Sequence, residues 1–395
     1  MKKILLILLA TTLCILADFA YASPWFGGVT DPGLFAGEVP WSWPDQLFGT
    51  LPFKQATASD SVSAPHLFDG AWPTLQTWMN WVNQNGYLTT WYGGWAASYD
   101  GNGNYNRFHT PSDFEAYVAQ AASQPQMQES NIYINYANEP MHATGEEANN
   151  NLTQFMNVMG GHGATGYDWL INVGKLFRKY FPNAKIGIND FVWASTANDM
   201  PSNLGTNTHL GVMIQIVQAL KNAGVIDWVG EEGYGLESVA PNNLTDAINQ
   251  MAGLGVGIIF TEFSPNAHAP DYSGQLAAWQ KTLPNIAKNP NVIGVTGPWT
   301  FRRSSQVGNS GIVDDRTNPV TYSATAKWLQ KFVPANFNAA ALTPHQPRPR
   351  HLRQLLGSIM VQQLSYAGNT TKGGIAWMAG TGGCFVHTVP LKNRG

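Results

Sequence analysis

Short apolar runs alternate with longer segments of helical periodicity along most of this chain. Runs of strand character, rich in Ile, Val, Phe, Tyr and Trp, fall at residues 25–28, 53–57, 87–91, 132–137, 184–188, 226–230, 256–261 and 292–297. Between them apolar residues recur at i, i+3, i+4 and i+7, the spacing of one buried helix face. Leu75, Trp78, Met79 and Val82 follow it, as do Met213, Ile216, Val217 and Leu220. Leu170, Val173 and Phe177 mark a third helix, stopped by Phe181-Pro182-Asn183. Helical patterns over 113–122, 244–251, 273–283 and 323–332 complete the set. Eight strands alternating with helices over roughly 310 residues predict an α/β fold, a (β/α)8 TIM barrel in a single domain spanning 23–336. The first βα unit, 29–49, is loop-rich with several prolines and fits least well. A doubly wound open sheet is the structural alternative, but no glycine-rich phosphate loop supports it.

Composition narrows the class. Hydrophobic residues make up 44% of the 395, enough for a large core, and aromatics 12%, including 15 tryptophans. Charged residues are only 12% with a net charge of −3, which argues against a nucleic-acid partner and against a basic membrane-binding face. Many Asn, Gly, Trp and Tyr with few charges suit a secreted protein that stacks rings on neutral sugars. The N-terminus points the same way. Lys2 and Lys3 precede an apolar run over 4–16, and Ala20-Tyr21-Ala22 fits a cleavage site before Ser23, so residues 1–22 read as a signal peptide. That run is short for a bilayer span. Cys14 lies within the leader behind Leu13, which does not suit a lipoprotein anchor, and the other cysteine is Cys384. The body up to about residue 336 therefore has no disulfide to lean on. Export to the periplasm or medium, no membrane attachment after leader cleavage and a monomeric state are the expectations. The tail, 337–395, passes from an Ala run through a Pro-, Arg- and His-rich stretch to a Gly- and Thr-rich end, and reads as an irregular extension.

Candidate chemistry sits at the ends of two strands. Ile-Tyr-Ile-Asn-Tyr-Ala-Asn-Glu-Pro at 132–140 and Gly-Ile-Ile-Phe-Thr-Glu-Phe-Ser-Pro at 257–265 are built alike. Each is an apolar strand that delivers a glutamate, Glu139 or Glu262, and is then stopped by proline, which cannot donate to a ladder. In a barrel the carboxyl ends of the strands form the active face. The residues there are Trp91-Tyr92, Asn138-Glu139, Asn189-Asp190, Glu231-Glu232-Gly233-Tyr234, Glu262 and Trp299. Such a ring suits a sugar: carboxylates for chemistry, amides for hydroxyls, aromatic faces for stacking. Plainer readings stand beside these. Trp91 and Trp299 can be core, Asn189-Asp190 a turn, Glu231-Glu232 a salt-bridged rim, and Arg302-Arg303 loop surface. The nine histidines show no metal-ligand spacing and no Gly-x-Ser-x-Gly elbow occurs, so neither a metal nor a cofactor is expected.

Tyr-Ala-Asn-Glu-Pro at 136–140 followed by Phe-Thr-Glu-Phe at 260–263 resembles the clan of retaining barrel glycosidases. Within it the body is most similar to glycoside hydrolase family 10, the endo-β-1,4-xylanases. Residues 181–191, Phe-Pro-Asn-Ala-Lys-Ile-Gly-Ile-Asn-Asp-Phe, resemble that family's strand-five segment. Leu220-Lys221 with Gly-Val-Ile-Asp-Trp-Val-Gly at 224–230 is similar to its approach to strand six. Gly253-Leu254-Gly255-Val256 leading into Thr261-Glu262 is similar to its approach to strand seven. The likeness spans about 50–335. There are departures. The strand-two Glu-Asn and Met-Lys would fall near Ser59-Asp60-Ser61-Val62-Ser63, so the lysine is absent. The strand-three Trp-His appears as Trp91-Tyr92, and Gln-x-His on strand six becomes Glu232-Gly233-Tyr234.

The resemblance implies a retaining mechanism with Glu262 as nucleophile and Glu139 as acid, then base, the carboxyls about 5–5.5 Å apart. It implies Asn138 on the sugar 2-hydroxyl, Asn189 and Tyr234 orienting Glu262, and Trp91 and Trp299 as the apolar floor, with Tyr92 and Glu232 also at the substrate. The expected partner is a polysaccharide, xylan or a related β-glycan. The altered strand-two and strand-three positions keep a second hypothesis open, a catalytically weak barrel that binds glycans.

Overall fold

The computed structural model describes residues 24–30, 48–58, 62, 67, 70–96, 108–128, 131–143, 150–191, 193–194, 209–267, 269, 271–299, 311–314, 321–337, 376–380 and 383–387. Strands β1 (Trp25–Thr30), β2 (Gln55–Ala58), β3 (Leu88–Ala96), β4 (Ile132–Asn138), β5 (Lys185–Asp190), β6 (Trp228–Glu231), β7 (Gly257–Phe260) and β8 (Val292–Thr296) follow one another around a closed barrel. All neighbours are parallel, and β8 pairs back to β1 through Trp25↔Gly294, Phe26↔Val295 and Gly27↔Thr296. The expected (β/α)8 barrel is the fold the chain adopts.

The helices are α1 (Trp72–Gln84), α2 (Pro111–Ala122), α3 (Pro140–Ala143), α4 (Asn150–Val158), α5 (Asp168–Tyr180), α6 (His209–Asn222), α7 (Pro241–Ala252), α8 (Gln275–Lys288) and α9 (Ala324–Asn336). Local chemistry fixes several starts. Thr110 accepts from Asp113 N at 3.3 Å while the Asp113 carboxylate accepts from Thr110 N at 2.7 Å, a reciprocal cap on α2 with proline at its first position. Ser323 caps α9 through Ala326 N at 3.1 Å. Helix α4 has no counterpart in the periodicity analysis, and α8 runs past Pro284 to Lys288 rather than stopping at 283.

Two apolar layers hold the barrel. The larger lies between strands and helices and includes Trp78, Phe114, Tyr136, Phe177, Ile216 and Trp279. The smaller plugs the amino end of the barrel: Trp25, Leu88, Trp228 and Ile259, with Tyr133 and Ile293 packed against them. Each such fully buried side chain contributes about 1.5–3 kcal/mol. Some polar groups inside the barrel are paired with each other. Gln55 Nε2 donates to Thr57 Oγ1 at 2.7 Å, and Thr296 Oγ1 donates to Gln55 Oε1 at 2.9 Å. Strand β3 continues beyond the expected residue 91 and shifts register against β4 between Tyr92 and Trp95. A Cβ on Gly94 would sit 1.8 Å from Tyr136 O, so only glycine lets the two strands press together there.

Beyond the barrel, β9 (Val313–Asp314) pairs antiparallel with β10 (Thr321–Tyr322). The chain divides into two compact units, Ala22–Pro344, which holds the barrel, and Met1–Tyr21 with His345–Gly395. Within the second, β11 (Ala376–Gly380) and β12 (Gly383–His387) form a hairpin with Trp377 opposite Val386 and Ala379 opposite Cys384. No strand was expected in this tail. The proposed leader, the strand-two positions 59–61 and 63, and Arg302 and Arg303 lie outside the described residues. Among the described residues no helix is long and apolar enough to cross a membrane.

Candidate active site

Glu139 follows β4 in a backbone conformation that glutamate rarely adopts, with φ at +53°. Holding a non-glycine residue there costs about 1–3 kcal/mol, so the surroundings must enforce it. Strand β5 does so twice. Glu139 N donates to Asn189 O at 2.7 Å, and Met141 N, in the turn that opens α3, donates to Asp190 Oδ2 at 2.7 Å. Asp190 Oδ1 also accepts from Phe191 N at 2.9 Å. Asn138, just before Glu139, is 7% exposed, and none of the described residues donates to its Oδ1.

Glu262, just past β7, is 6% exposed and is held by three donors. Tyr234 OH donates to Oε2 at 2.8 Å, Tyr92 OH to Oε1 at 3.1 Å, and Asn189 Nδ2 approaches Oε1 at 3.4 Å. Burial, then Glu262, then Glu232 push the phenols of Tyr92 and Tyr234 well above the ordinary tyrosine value, so both stay O–H donors. Asn189 is itself fixed, because Asn135 from β4 donates to its Oδ1. The same Asn189 amide nitrogen donates to Glu232 Oε1 at 3.0 Å.

The end of β6 supplies the rest. Glu231 accepts from Ala194 N at 2.9 Å and from Gly233 N at 3.2 Å, tying the segment after β5 to the turn that carries Tyr234. Gly233 has φ at +79° and lies against Phe263, where a Cβ would come within 2.8 Å of the ring. Glu232 is 1% exposed. Burial first, then the charges of Glu262, Glu139, Asp190 and Glu231, push its carboxyl well above the usual carboxylate range.

The structure thus gathers Tyr92, Asn189, Glu232 and Tyr234 about Glu262, with Glu139 just past β4 at the same end of the barrel. Trp299 also reaches the site. Its ring meets Tyr92 edge-on with centroids 5.6 Å apart, and its backbone N–H donates to Ser264 Oγ at 2.9 Å. Trp91 does not reach it. The indole is fully buried on the helix side of β3, against Phe177 and Phe181, and donates to Val62 O at 3.0 Å. Successive strand residues face opposite sides, so placing Tyr92 inward turns Trp91 outward, which corrects its expected place beneath the sugar. Glu231 and Glu232 are likewise buried rather than a rim. Asn135 was not among the expected site residues, although an amide inside an apolar strand, two residues after inward-facing Tyr133, carried the signal. Nor were the roles of Asp190 and Glu231 expected, since a carboxylate that clamps backbone N–H groups leaves no mark in the sequence.

A closed parallel barrel with carboxyl groups gathered at the carboxyl ends of its strands is the arrangement that barrel glycosidases use. The chain belongs to glycosyl hydrolase family 10, whose profile matches residues 78–327. It is similar in fold to a GH10 endoxylanase from a sugarcane soil metagenome, at 12% identity and a TM-score of 0.58 over 78% of this chain and 96% of that one. A GH10 xylanase from Bispora sp. MEY-1, determined with xylobiose, matches at 16% identity and a TM-score of 0.60, covering 79% and 97%. Xylanase 10B from Thermotoga maritima matches at 12% identity and 0.59, covering 79% and 96%. No curated protein sequence matches the chain. Among the described residues no three His, Cys, Asp or Glu side chains are grouped to hold a metal ion.

Proposed function

We propose that this glycoside hydrolase is a secreted, retaining endo-β-1,4-glycanase acting on xylan. The observation that carries the proposal is the setting of Glu262, a nearly buried carboxylate held by two phenol hydroxyls and an amide. Three donors fix both oxygens and favour the anion, which is what a nucleophile aimed at an anomeric carbon needs. Tyr92, standing where the family pattern has histidine, still supplies a donor to the nucleophile. Glu139 is the acid that protonates the leaving oxygen and then, as carboxylate, takes a proton from the incoming water. Its enforced backbone kink supports that role, since strain of this kind is kept at working positions. The unengaged Oδ1 of Asn138 is an acceptor suited to a sugar hydroxyl, and Trp299 beside Tyr92 is the apolar wall.

The test is reducing-sugar release from xylan, mixed-linkage glucan and mannan by wild type and Glu262→Gln. Release from xylan that falls by about a thousand-fold or more in the mutant is the expected result. Release only from another polymer moves the substrate and keeps the chemistry. Binding without release by wild type would replace the enzyme with a glycan-binding barrel.

A further inference from the structure

One carboxyl at the site has no role in that mechanism. Glu232 stands where the family pattern has glutamine, is almost wholly buried, and lies within reach of the same amide nitrogen that serves Glu262. Two carboxyls gathered on one neutral donor in a buried pocket do not both ionise, because each charge opposes the other where water cannot screen it. Which of the two keeps the proton follows from the donors. Glu262 accepts from Tyr234, Tyr92 and Asn189, each favouring its anion, whereas the bond found for Glu232 is the one from Asn189.

We propose that Glu232 is a third working carboxyl of this site, a positioning residue that must stay protonated for Glu262 to act. As a neutral acid it accepts from Asn189 and holds that amide against Glu262 without setting a second negative charge beside the nucleophile. Its proton is not transferred during turnover. When Glu232 ionises, it competes with Glu262 for the Asn189 donor and places repelling charge where Glu262 already sits, and the site loses activity at its alkaline side. The titratable groups facing Glu232 are Glu262 beyond β7, Glu139 beyond β4, Asp190 on β5, Glu231 on its own strand, and the phenols of Tyr92 and Tyr234. The four acids among them all act to keep the proton on Glu232.

The inference rests on the glycosidase reading, so its test has one arm that needs no substrate. Folded Glu232 keeps its proton at pH values where an unfolded chain has lost it. The stability it contributes is therefore fully present below the ordinary glutamate range and is lost as pH rises from there toward the raised value in the fold. Glu232→Gln cannot titrate. Thermal unfolding of the two proteins across pH is expected to show wild type losing stability relative to the variant as pH rises. In the second arm, the alkaline limb of kcat/KM is expected to move up by about one unit or more in Glu232→Gln. Parallel stability curves, or an alkaline limb that stays in place, would overturn the proposal. If neither protein hydrolyses any glycan, the stability arm alone decides whether Glu232 carries the proton.

Discussion

Tyr234→Phe removes one oxygen and leaves the ring, so it isolates the bond between the phenol and Glu262. That bond is 2.8 Å long and donates to a carboxylate 6% exposed. Hydrogen bonds to charged groups contribute about 1.5–3 kcal/mol, and the buried setting keeps solvent from replacing the donor. Converted at 1.36 kcal/mol per decade, the expected loss in kcat/KM is roughly ten- to a hundred-fold. Tyr92→Phe removes the longer 3.1 Å bond to the other oxygen and is expected to cost less. The two phenols hold the two oxygens of one carboxylate, so the double variant is expected to depart from the product of the single losses. The assay is initial-rate kinetics on an aryl β-xylobioside and on xylan, with thermal unfolding as a control for folding. Tyr234→Phe within about two-fold of wild type, in a protein of unchanged fold, would refute the view that these donors set the nucleophile.

Two further outcomes follow from the same geometry. Asp190→Asn keeps one acceptor oxygen where the carboxylate serves both Met141 N and Phe191 N, and so loosens the turn that fixes Glu139. It is expected to lower kcat on xylan about ten-fold or more while sparing aryl glycosides whose leaving groups need no acid, and equal losses on both would show a general structural effect. Trp91→Phe loses the bond to Val62 O and part of a buried ring, which should cost about 1–3 kcal/mol in a urea melt and leave KM for xylan unchanged. A raised KM with unchanged stability would return Trp91 to the substrate.

The order of strands and helices was legible because each element announces itself locally. Apolar runs ended by Asn-Glu-Pro or Glu-Phe-Ser-Pro, and helix faces such as Leu75, Trp78, Met79 and Val82, need no knowledge of the rest of the chain. Alternation with helices then left a parallel barrel as the arrangement, and the barrel put Glu139 and Glu262 on one face. Helix α4 went unread although Leu152, Phe155, Met156 and Met159 recur at the i, i+3, i+4, i+7 spacing of a helix face. Trp91 and Tyr92 were indistinguishable as neighbours in sequence. Only the register of β3 decided that one faces the helices and the other the nucleophile.

What the sequence determined by itself was therefore the barrel, the order of its eight strands and the two glutamates at the ends of two of them, since local periodicity and turn chemistry suffice for these. What tertiary structure alone decided was how the other side chains act on those two. Asp190 clamping the turn after Glu139, Glu231 bridging two loops and Asn189 joining Glu232 to Glu262 are contacts between strands far apart in the chain. Such contacts exist only once closure of the barrel brings the strand ends together out of water, where a carboxyl must find a donor or keep its proton.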